Sequence, residues 1–401
     1  MAYSGLNLEN VKNQNRSSIL KLLNDQGPMS RKDISARLGL TPASVTTLCA
    51  ELLAQNILFE LGEVQQDKRA GRRKILLGIN YTYRYVLSIS IELPATCITL
   101  CDLRGEHGCT RRIPTDTAVP PEIFLKQVAN VGKALLWENS VGREQLLGAG
   151  VSVPGPVERE AGVSTHAYRI WSEPVQVASL LAQALECTVL LENNVKAFAR
   201  AELTYGLGRT QENLLLLKWG PGVGSAIIAQ GRIYESRMYK SAEIGHVRVE
   251  KDGRLCRCGR HGCLETRVAS HPIARHLRQV CRPETAPLLW AAVDGRPEKI
   301  TVHNLAELVS LDEPALWEAL DADIGLLAEV VGGMLTMLTP DHLILYGAMF
   351  KLPHFREKFL AACKRYDPAY DEDYIRVSEL DEKLEYIGPL AVVTNELFYQ
   401  G

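Results

Sequence analysis

Three segments at the start of the chain carry apolar residues at helical spacing, and residues that start or stop helices bound them. The first segment covers residues 11–26. The second begins at Ser30, whose spacing from Asp33 resembles a capping box, and it ends at Gly39. The third begins at Thr41, an N-cap residue followed by a proline at the first helical position. The pattern predicts three helices with a tight turn between the second and the third. The apolar residues expected on the buried face of the third helix are Val45, Leu48 and Leu52.

The outward face of the third helix is small and polar, which is typical of a helix that enters the major groove of DNA. Its candidate base contacts are Ala43, Ser44, Thr46 and Thr47. Two short predicted strands, 57–63 and 74–79, then enclose a polar loop. The cations of this loop, which are candidate contacts to phosphates or to a narrow minor groove, are Lys68, Arg69, Arg72, Arg73 and Lys74. The sequence predicts a winged helix-turn-helix DNA-binding domain over residues 1–80, with a three-helix protein-binding module and a solvated basic loop as the alternative.

From residue 85 onward, short apolar strands alternate with helical segments. The predicted strands lie at 85–91, 95–101, 148–153, 187–191, 214–219, 226–229 and 342–346, and the predicted helices at 195–205 and 315–338. This alternation predicts an α/β body with largely buried sheets. Because about 300 residues exceed what one core usually holds, we expect two lobes with a cleft. We place the first α/β lobe at 81–195 and the second at 196–401, with the C-terminal helix returning to the first lobe.

The composition is ordinary for a globular protein, with 46% hydrophobic and 23% charged residues among 401. It excludes a disordered chain, a collagen-like fibre and a coiled-coil rod. The sequence shows neither a signal peptide nor an apolar run near the ~18 residues of a membrane span, so we expect a cytoplasmic protein without membrane insertion. The net charge of −2 conceals a net +4 over residues 1–80. A basic module on an acidic body favours a nucleic-acid contact at the N-terminal end.

Three of the ten cysteines, Cys256, Cys258 and Cys263, lie close together in the sequence, and His246 precedes them. Three thiolates and one imidazole suit tetrahedral Zn²⁺. Because the protein fills all four positions, none remains for a catalytic water, and we expect a structural zinc. His261 lies inside the loop as a competing ligand. The alternative to a metal site is a group of free buried cysteines.

Five motifs of the C-terminal body match a known family. They are Val153-Pro154-Gly155-Pro156-Val157, Glu192-Asn193-Asn194, Gly220-Pro221-Gly222-Val223-Gly224, Ala242-Glu243-Ile244-Gly245-His246 and the cysteine segment Cys256–Glu265. With them the chain resembles, over essentially its whole length, the ROK proteins (repressors, open reading frames, kinases), in particular the NagC/XylR-type transcriptional regulators. The resemblance implies an actin-like, ribonuclease H-like fold of two lobes around a sugar cleft. Members of this family either phosphorylate sugars or carry an N-terminal winged helix and regulate sugar genes.

The resemblance also implies a sugar pocket and the same four zinc ligands. The residues at sugar-binding positions are Asn193, Glu243, His246 and Glu265, with Asn194 beside them. Glu243 lies three residues before His246, so a bound metal would also hold this part of the pocket in place. The alternative for Glu243 and Glu265 is a buried ion pair or a helix cap, since buried carboxylates need partners in either case.

Two features that a ROK kinase requires are altered. Asn194 stands where the kinases have the aspartate that acts as general base, and an amide does not accept a proton at neutral pH. The Asp-x-Gly-Gly-Thr turn that binds ATP phosphates in the kinases falls on residues 90–94, where none of its defining residues remains and Glu92 would repel phosphate. In the second phosphate loop, Pro221 replaces a threonine and Ser225-Ala226 replaces glycines.

The sequence therefore favours a sugar-responsive DNA-binding transcriptional regulator of carbohydrate-metabolism genes, of the repressor type and without catalytic residues. The first alternative is an ATP-dependent sugar kinase with a fused DNA-binding domain. The second is a body that binds a protein partner while its sugar pocket is vestigial. The expected partners are palindromic operator DNA and a sugar or sugar-phosphate effector. Because paired half-sites require a two-fold assembly, we expect a homodimer or tetramer.

Overall fold

The computed structural model describes residues 8–64, 74–106, 108–236 and 241–400. The chain forms two compact units. Unit 1 comprises Met1–Thr210 and Lys383–Gly401, and unit 2 comprises Gln211–Glu382. This division lies later than the predicted one at 195/196, and it groups the N-terminal domain with the first α/β layer. Within the described part of the chain, no helix has the length and apolar character needed to cross a bilayer.

The N-terminal part of unit 1 contains three helices and a three-stranded antiparallel sheet. The helices are α1 (Leu8–Gln26), α2 (Arg31–Leu38) and α3 (Pro42–Ala54), and the strands are β1 (Met29–Ser30), β2 (Leu58–Val64) and β3 (Lys74–Ile79). β3 lies between the other two strands. Ile19, Ile34 and Val45, one from each helix, are fully buried. The arrangement confirms the predicted winged helix-turn-helix, and the wing residues Lys68, Arg69, Arg72 and Arg73 lie outside the described residues.

Side-chain caps explain where α2 and α3 begin. Ser30 accepts a hydrogen bond from the Asp33 N–H (3.3 Å) and donates its hydroxyl to the Asp33 carboxylate (2.7 Å). These two bonds join the residues of the predicted capping box. Gly39 ends α2 in the left-handed conformation with φ of 65°. Thr41 caps α3 by accepting from the Ser44 N–H (3.2 Å).

The α/β layer of unit 1 is a five-stranded mixed sheet. Its strands are β4 (Tyr85–Ile91), β5 (Ala95–Asp102), β6 (Cys109–Pro114), β7 (Leu146–Val153) and β10 (Val189–Asn193), and a separate short pair is formed by β8 (Val157–Glu158) and β9 (Val163–Ser164). The order is β10-β7-β4-β5-β6, with β10, β7 and β4 parallel. Helices α4 (Pro121–Glu138) and α5 (Val177–Leu185) pack on one face, and α6 (Asn194–Tyr205) lies on the other with α13 (Ile387–Val393). The chain ends in a π-helix, Thr394–Tyr399.

Unit 2 contains a second five-stranded mixed sheet, in which the first strand along the chain lies in the centre. Its strands are β11 (Leu214–Trp219), β12 (Val223–Ala229), β13 (Arg232–Ile233), β14 (His342–Tyr346) and β15 (Ile375–Val377), and its helices are α7 (Glu265–Val268), α8 (Ser270–Val280), α9 (Pro287–Ala292), α10 (Leu305–Leu308), α11 (Pro314–Leu338) and α12 (Pro353–Tyr366). Trp219 lies at the centre of the core, with its ring edge-on to Phe350 and Phe355. Its indole N–H donates to the Val268 carbonyl (2.6 Å).

The α/β class predicted from the alternating pattern is confirmed, and most strands lie within two residues of their predicted bounds. The strand predicted at 226–229 is an exception, since it begins at Val223. The strand predicted at 187–191 is shifted by two residues to Val189–Asn193, and this shift affects the site. Asn193 is therefore the last residue of a strand and the N-cap of α6 at once. Because α6 packs along α13, it belongs to unit 1, and for this reason the division falls after residue 210.

Two glycine-to-alanine substitutions test the packing between β7 and α13. A Cβ at Gly150 would lie 2.0 Å from the Pro389 carbonyl oxygen, whereas a Cβ at Gly333 in α11 would meet no atom within 4 Å. We expect Gly150→Ala to destabilise the protein by ~1–3 kcal/mol through overpacking. Gly333→Ala, the control, should stabilise it by ~0.5–1 kcal/mol because glycine is unfavourable inside a helix. Thermal unfolding measures both, and an unchanged Tm for Gly150→Ala would contradict the described contact.

Candidate functional site

Four residues of unit 2 bring metal-binding atoms together. His246 ends a short 3₁₀ turn, and Cys256, Cys258 and Cys263 lie in the following loop. One ligand atom from each lies within 4.8 Å of all the others. His246, Cys256 and Cys263 are buried and Cys258 is half-buried. The structure thus assembles the four predicted metal ligands into one cluster that fits a metal ion.

Two distances within the cluster match the spacing around a tetrahedral ion. The His246 Nδ1 lies 3.5 Å from the Cys256 Sγ, and the Sγ atoms of Cys258 and Cys263 are 3.6 Å apart. Sulfur and nitrogen ligands bound to one tetrahedral Zn²⁺ stand about 3.5–3.8 Å from each other. A disulfide would require an S–S distance of ~2.05 Å, and all three cysteines are free.

The thiols of the cluster differ in their acidity. Burial raises the pKa of Cys256 to about 12. At Cys258 burial acts in the same direction, but hydrogen bonds from Arg260 and the neighbouring thiols outweigh it and lower the pKa. A metal ion displaces the protons of its thiol ligands, so protons compete with the metal for this cluster.

The loop folds around the cluster because the backbone returns closely on itself. Gly262 has a positive φ of 74°, and a Cβ there would lie 1.8 Å from the Glu250 carbonyl oxygen.

His261, the predicted competitor for the metal, points its Nδ1 at the Gly253 carbonyl (3.1 Å) and is exposed. It is not one of the four clustered residues.

Glu243 extends the cluster on the far side of the imidazole. Its Oε2 lies 3.7 Å from the His246 Nε2, while the Nδ1 of the same ring faces Cys256. The two ring nitrogens therefore have different neighbours, a thiol on one side and a carboxylate on the other. A carboxylate that accepts the second ring N–H orients a metal-binding histidine, and at 3.7 Å Glu243 lies just beyond hydrogen-bond distance of this ring.

Glu265 joins the end of the cysteine loop to the glycine-rich turn of residues 220–224. Its Oε2 accepts a hydrogen bond from the Val223 N–H (3.1 Å). A Cβ at Gly222 would lie 3.0 Å from the same oxygen, so the absence of a side chain there leaves room for the carboxylate. On the other side of the turn, the backbone of Gly245 packs against the Val223 carbonyl. Three of the predicted sugar-binding residues, Glu243, His246 and Glu265, thus lie around one turn of unit 2.

A buried ion network supports this region, and sequence reasoning missed it. Asp323 in α11 is fully buried and contacts Arg267 (2.8 Å) and the Nδ1 of His276 (2.8 Å). Arg267 also pairs with Glu250 in the metal-binding loop. Asp323 and Arg267 are 56 residues apart in the sequence, and nothing in their spacing indicates the pair.

In unit 1, the side chain of Asn193 is used mainly by the protein itself. Its Oδ1 accepts from the N–H groups of Val195 (2.9 Å) and Lys196 (3.1 Å) at the start of α6. Its Nδ2 donates to the Gly155 carbonyl (2.9 Å). Asn193 therefore ties the end of β10, the first turn of α6 and the Pro154–Pro156 turn together, and one N–H of its amide is left for a ligand.

Asn194 contacts the turn that replaces the kinase phosphate turn. Its Nδ2 donates to the Glu92 Oε1 at 2.5 Å. This contact is a hydrogen bond from an amide to a carboxylate and involves no proton transfer. The two altered kinase positions of the sequence are thus bonded to each other in unit 1.

A second ion network lies next to these asparagines and was also missed. Glu192 is buried, and its Oε2 lies 3.0 Å from the Arg200 Nε and 3.4 Å from the Arg159 Nε. Arg159 also pairs with Glu396 of the π-helix. The position of Glu192 directly before Asn193 is the one signal in the sequence, since a carboxylate at a buried strand end needs cations nearby.

The opposite end of α6 contacts the DNA-binding domain. The Thr204 carbonyl accepts from the Asn24 Nδ2 in α1 (2.7 Å). The Asn24 Oδ1 accepts from the hydroxyls of Tyr399 (2.8 Å) and Tyr81 (3.2 Å). Tyr205, next along α6, shares a hydrogen bond with the buried Thr394 hydroxyl (2.7 Å). We call Asn24, Tyr81, Thr204 and Tyr399 the Asn24 junction.

The predicted DNA contacts divide into two groups. Ala43, Ser44, Thr46 and Thr47 are all exposed on α3. Arg69, Arg72 and Arg73 belong to the loop outside the described residues.

Of the predicted ligand residues, Asn193 and Asn194 lie in unit 1, whereas Glu243, His246 and Glu265 lie in unit 2.

Comparison with known proteins identifies the family of this chain. The ROK family model matches residues 88–394, and a model described as winged helix-turn-helix DNA-binding matches residues 12–58. The DNA-binding transcriptional dual regulator NagC of Escherichia coli is 27% identical over 273 residues, which cover 68% of this chain and 66%, just under two thirds, of the regulator. The glucokinase of Thermotoga maritima is 27% identical over 265 residues, covering 65% of this chain and 81% of the kinase.

A crystal structure of a ROK family transcriptional regulator, described as a homologue of the E. coli MLC protein, shares the fold. It superposes with a TM-score of 0.81 at 21% identity and covers 98% of both chains. Regulators and kinases are therefore both relatives. The chain belongs to the ROK family and carries a winged helix-turn-helix DNA-binding domain at its N-terminal end.

Proposed function

We propose that this protein is a sugar-responsive transcriptional repressor of carbohydrate-metabolism genes. One observation carries the proposal: helix α6 begins at Asn193 and Asn194, the expected ligand residues, and ends on Asn24 of the DNA-binding domain. A ligand that changes the start of α6 acts on a helix that is buried over most of its length. Ligand binding and DNA binding are coupled only through elements of this kind, which differ between the two states of the molecule.

In this proposal, α3 enters the major groove and the wing contacts the DNA backbone. Ala43, Ser44, Thr46 and Thr47 face the bases. Arg69, Arg72 and Arg73 bind phosphates or the minor groove, together with Lys68 and Lys74. Each phosphate contact adds a slope of about −0.9 in log K against log salt, so operator binding should weaken steeply with salt. A homodimer or tetramer would read a palindromic operator with two such helices.

The candidate ligands of a sugar or sugar-phosphate effector are Asn193 and Asn194 in unit 1 and Glu243, His246 and Glu265 in unit 2. In unit 2, the metal-binding cluster supports this role because it orders the segments that carry Glu243 and Glu265. We propose a structural Zn²⁺ held by His246, Cys256, Cys258 and Cys263. Three thiolates and one imidazole at tetrahedral spacing favour zinc over harder divalent cations.

We further propose that the protein is not an enzyme, although sugar kinases are among its relatives. Asn194, at the position of the kinase base, carries an amide that cannot accept a proton from a sugar hydroxyl, and this amide donates to Glu92. A carboxylate in the former phosphate turn also opposes ATP binding electrostatically. The second candidate function, an ATP-dependent sugar kinase, is favoured only by the relationship to glucokinases.

The zinc proposal predicts one zinc per chain in the purified protein, measured by plasma mass spectrometry. Cys258→Ser should reduce the zinc content well below one and lower the Tm, because a structural metal contributes directly to folding. The matched control is Cys187→Ser, a half-buried cysteine outside the cluster, which should keep the zinc. Folded wild-type protein without any bound metal would contradict the proposal.

The non-enzyme proposal predicts no phosphoryl transfer from ATP to hexoses or amino sugars in a coupled assay. Sugar kinases of this general type turn over at ~1–100 s⁻¹, so an active enzyme would be detected at once. Asn194→Asp should stay inactive, because Glu92 and the missing glycines still obstruct the phosphates. Activity in the wild type would establish the kinase alternative, and rescue by the single substitution would show that residues 90–94 are no obstacle.

The coupling proposal predicts that operator DNA changes the affinity for the effector by the same factor by which the effector changes operator affinity. A thermal-shift screen over sugars and sugar phosphates first identifies the effector, since a ligand at 100 times its Kd adds ~2.7 kcal/mol of stability. Couplings of this kind are typically ~5–150-fold. Asn24→Ala should reduce the factor towards one while each ligand still binds alone.

Tyr399→Phe removes a single hydroxyl from the Asn24 junction and should reduce the coupling in part. Tyr366→Phe in unit 2, a half-exposed tyrosine distant in sequence from the junction, is the matched control and should leave it unchanged. Equal effector affinities with and without operator in the wild type would refute sugar control of DNA binding, whereas DNA binding itself would stand. If Asn24→Ala leaves the coupling factor unchanged, the Asn24 junction does not transmit the coupling.

A further inference from the structure

The exposed face of α3 lacks every side chain that usually makes paired hydrogen bonds to bases. Helix α3 contains no Arg, Lys, His, Asn or Gln between Pro42 and Ala54. Its single charged residue, Glu51, pairs with the Lys12 Nζ at 2.8 Å. In the major groove, Arg and Lys read guanine, and Asn and Gln read adenine. Helix α3 can use neither of these pairings.

The hydroxyl groups on this face are engaged within the helix. The Thr46 Oγ1 donates to the Pro42 carbonyl (2.7 Å), and the Thr47 Oγ1 donates to the Ala43 carbonyl (3.1 Å). The Ser44 hydroxyl shares a hydrogen bond with the Thr41 hydroxyl (2.9 Å). A threonine that bonds the carbonyl four residues back turns its hydroxyl against its own helix.

The methyl groups are then the part of each threonine that is left to face outward. Thr46 and Thr47 are both exposed, and so is Ala43 one turn before Thr47. Three methyl groups thus lie on the surface of the first two turns of α3. In the major groove, the apolar group on a base edge is the C5-methyl of thymine, which Ala and Thr methyl groups contact.

We propose that α3 recognises its operator chiefly through thymine C5-methyl groups, contacted by the methyls of Ala43, Thr46 and Thr47. The inference rests on the proposed function in one respect, namely that α3 enters the major groove. The exposed cations of α2, Lys32 and Arg37, are suited to phosphates and add affinity without sequence information. The sequence preference that α3 contributes therefore comes from thymines at fixed positions in each half-site.

The test uses the full-length protein and duplexes that differ by single methyl groups. A selection from random duplexes first provides the preferred site, and each thymine in it is then replaced in turn by deoxyuridine. Uracil keeps every hydrogen-bonding group of thymine and lacks only the C5-methyl. We expect a loss of about fourfold in affinity for each contacted methyl, the amount that burial of one methyl-sized group contributes. Uncontacted thymines in the same duplex are the internal control.

Two substitutions at each threonine separate the methyl from the hydroxyl. Thr47→Val keeps the methyl and should preserve both affinity and sensitivity to deoxyuridine. Thr47→Ser keeps the hydroxyl and should weaken binding to the thymine site while losing its sensitivity at one position. The same pair at Thr46 should act at a different position. Because the deoxyuridine series needs no variant, poor folding of a variant does not affect the main measurement.

Three outcomes of these measurements would overturn the inference, and one of them would also overturn the proposed function. A site-specific protein that binds all deoxyuridine duplexes equally well overturns methyl readout and leaves the proposed function intact. The reverse pattern, in which valine weakens binding and serine preserves it, shows that the hydroxyls read the bases and also overturns the inference. Binding without any sequence preference among random duplexes overturns the proposed function, and the inference falls with it.

Discussion

The N-cap of α6 is the interaction on which unit 1 depends. Asn193 accepts two backbone N–H groups of α6 and donates to the Gly155 carbonyl, so one side chain joins a strand end, a turn and a helix start. An N-cap is usually worth about 1 kcal/mol at a surface. Helix α6 is buried from Val195 to Glu202, where backbone groups without partners would cost ~1–3 kcal/mol each. Loss of the cap would therefore disturb the helix that reaches the DNA-binding domain.

In unit 2, the cluster of His246, Cys256, Cys258 and Cys263 has a role comparable to that of the α6 N-cap in unit 1. The loop from Glu250 to Cys263 is short, polar and tightly turned, and it offers few apolar side chains for a core of its own. We propose that a metal ion held by the one imidazole and three thiols compensates for this deficit, because metal–ligand bonds would replace hydrophobic contacts. The pair of Arg267 with the fully buried Asp323 then ties the loop to α11. As a result, Glu243 and Glu265 are held at opposite ends of one ordered segment.

The hydrogen bond between Asn194 and Glu92 bears on both the relationship to kinases and the proposed repressor activity. In a kinase, these two places need a base and a phosphate turn, which are chemically incompatible with an amide bonded to a carboxylate. Here the pair joins the β4–β5 turn to the start of α6. We propose that the remaining site binds sugar hydroxyl groups without transferring phosphate. In this proposal, the binding energy of the sugar shifts a conformational equilibrium instead of promoting a reaction.

The sequence by itself determined the local features of this protein. Caps, turns and apolar spacing act within a few residues, so the helix pair, most of the longer strands and the metal-ligand set were predictable from the local sequence, whereas β6 and the short strands β1, β8, β9, β13 and β15 were not predicted. Tertiary structure alone decided the long-range partners. The membership of α6 in unit 1, the Asp323–Arg267 pair and the Asn24 junction join residues that are 56 to 375 positions apart. Buried charges and amides must find partners, but which partner they find depends on how the chain packs, and spacing along the sequence carries no record of that.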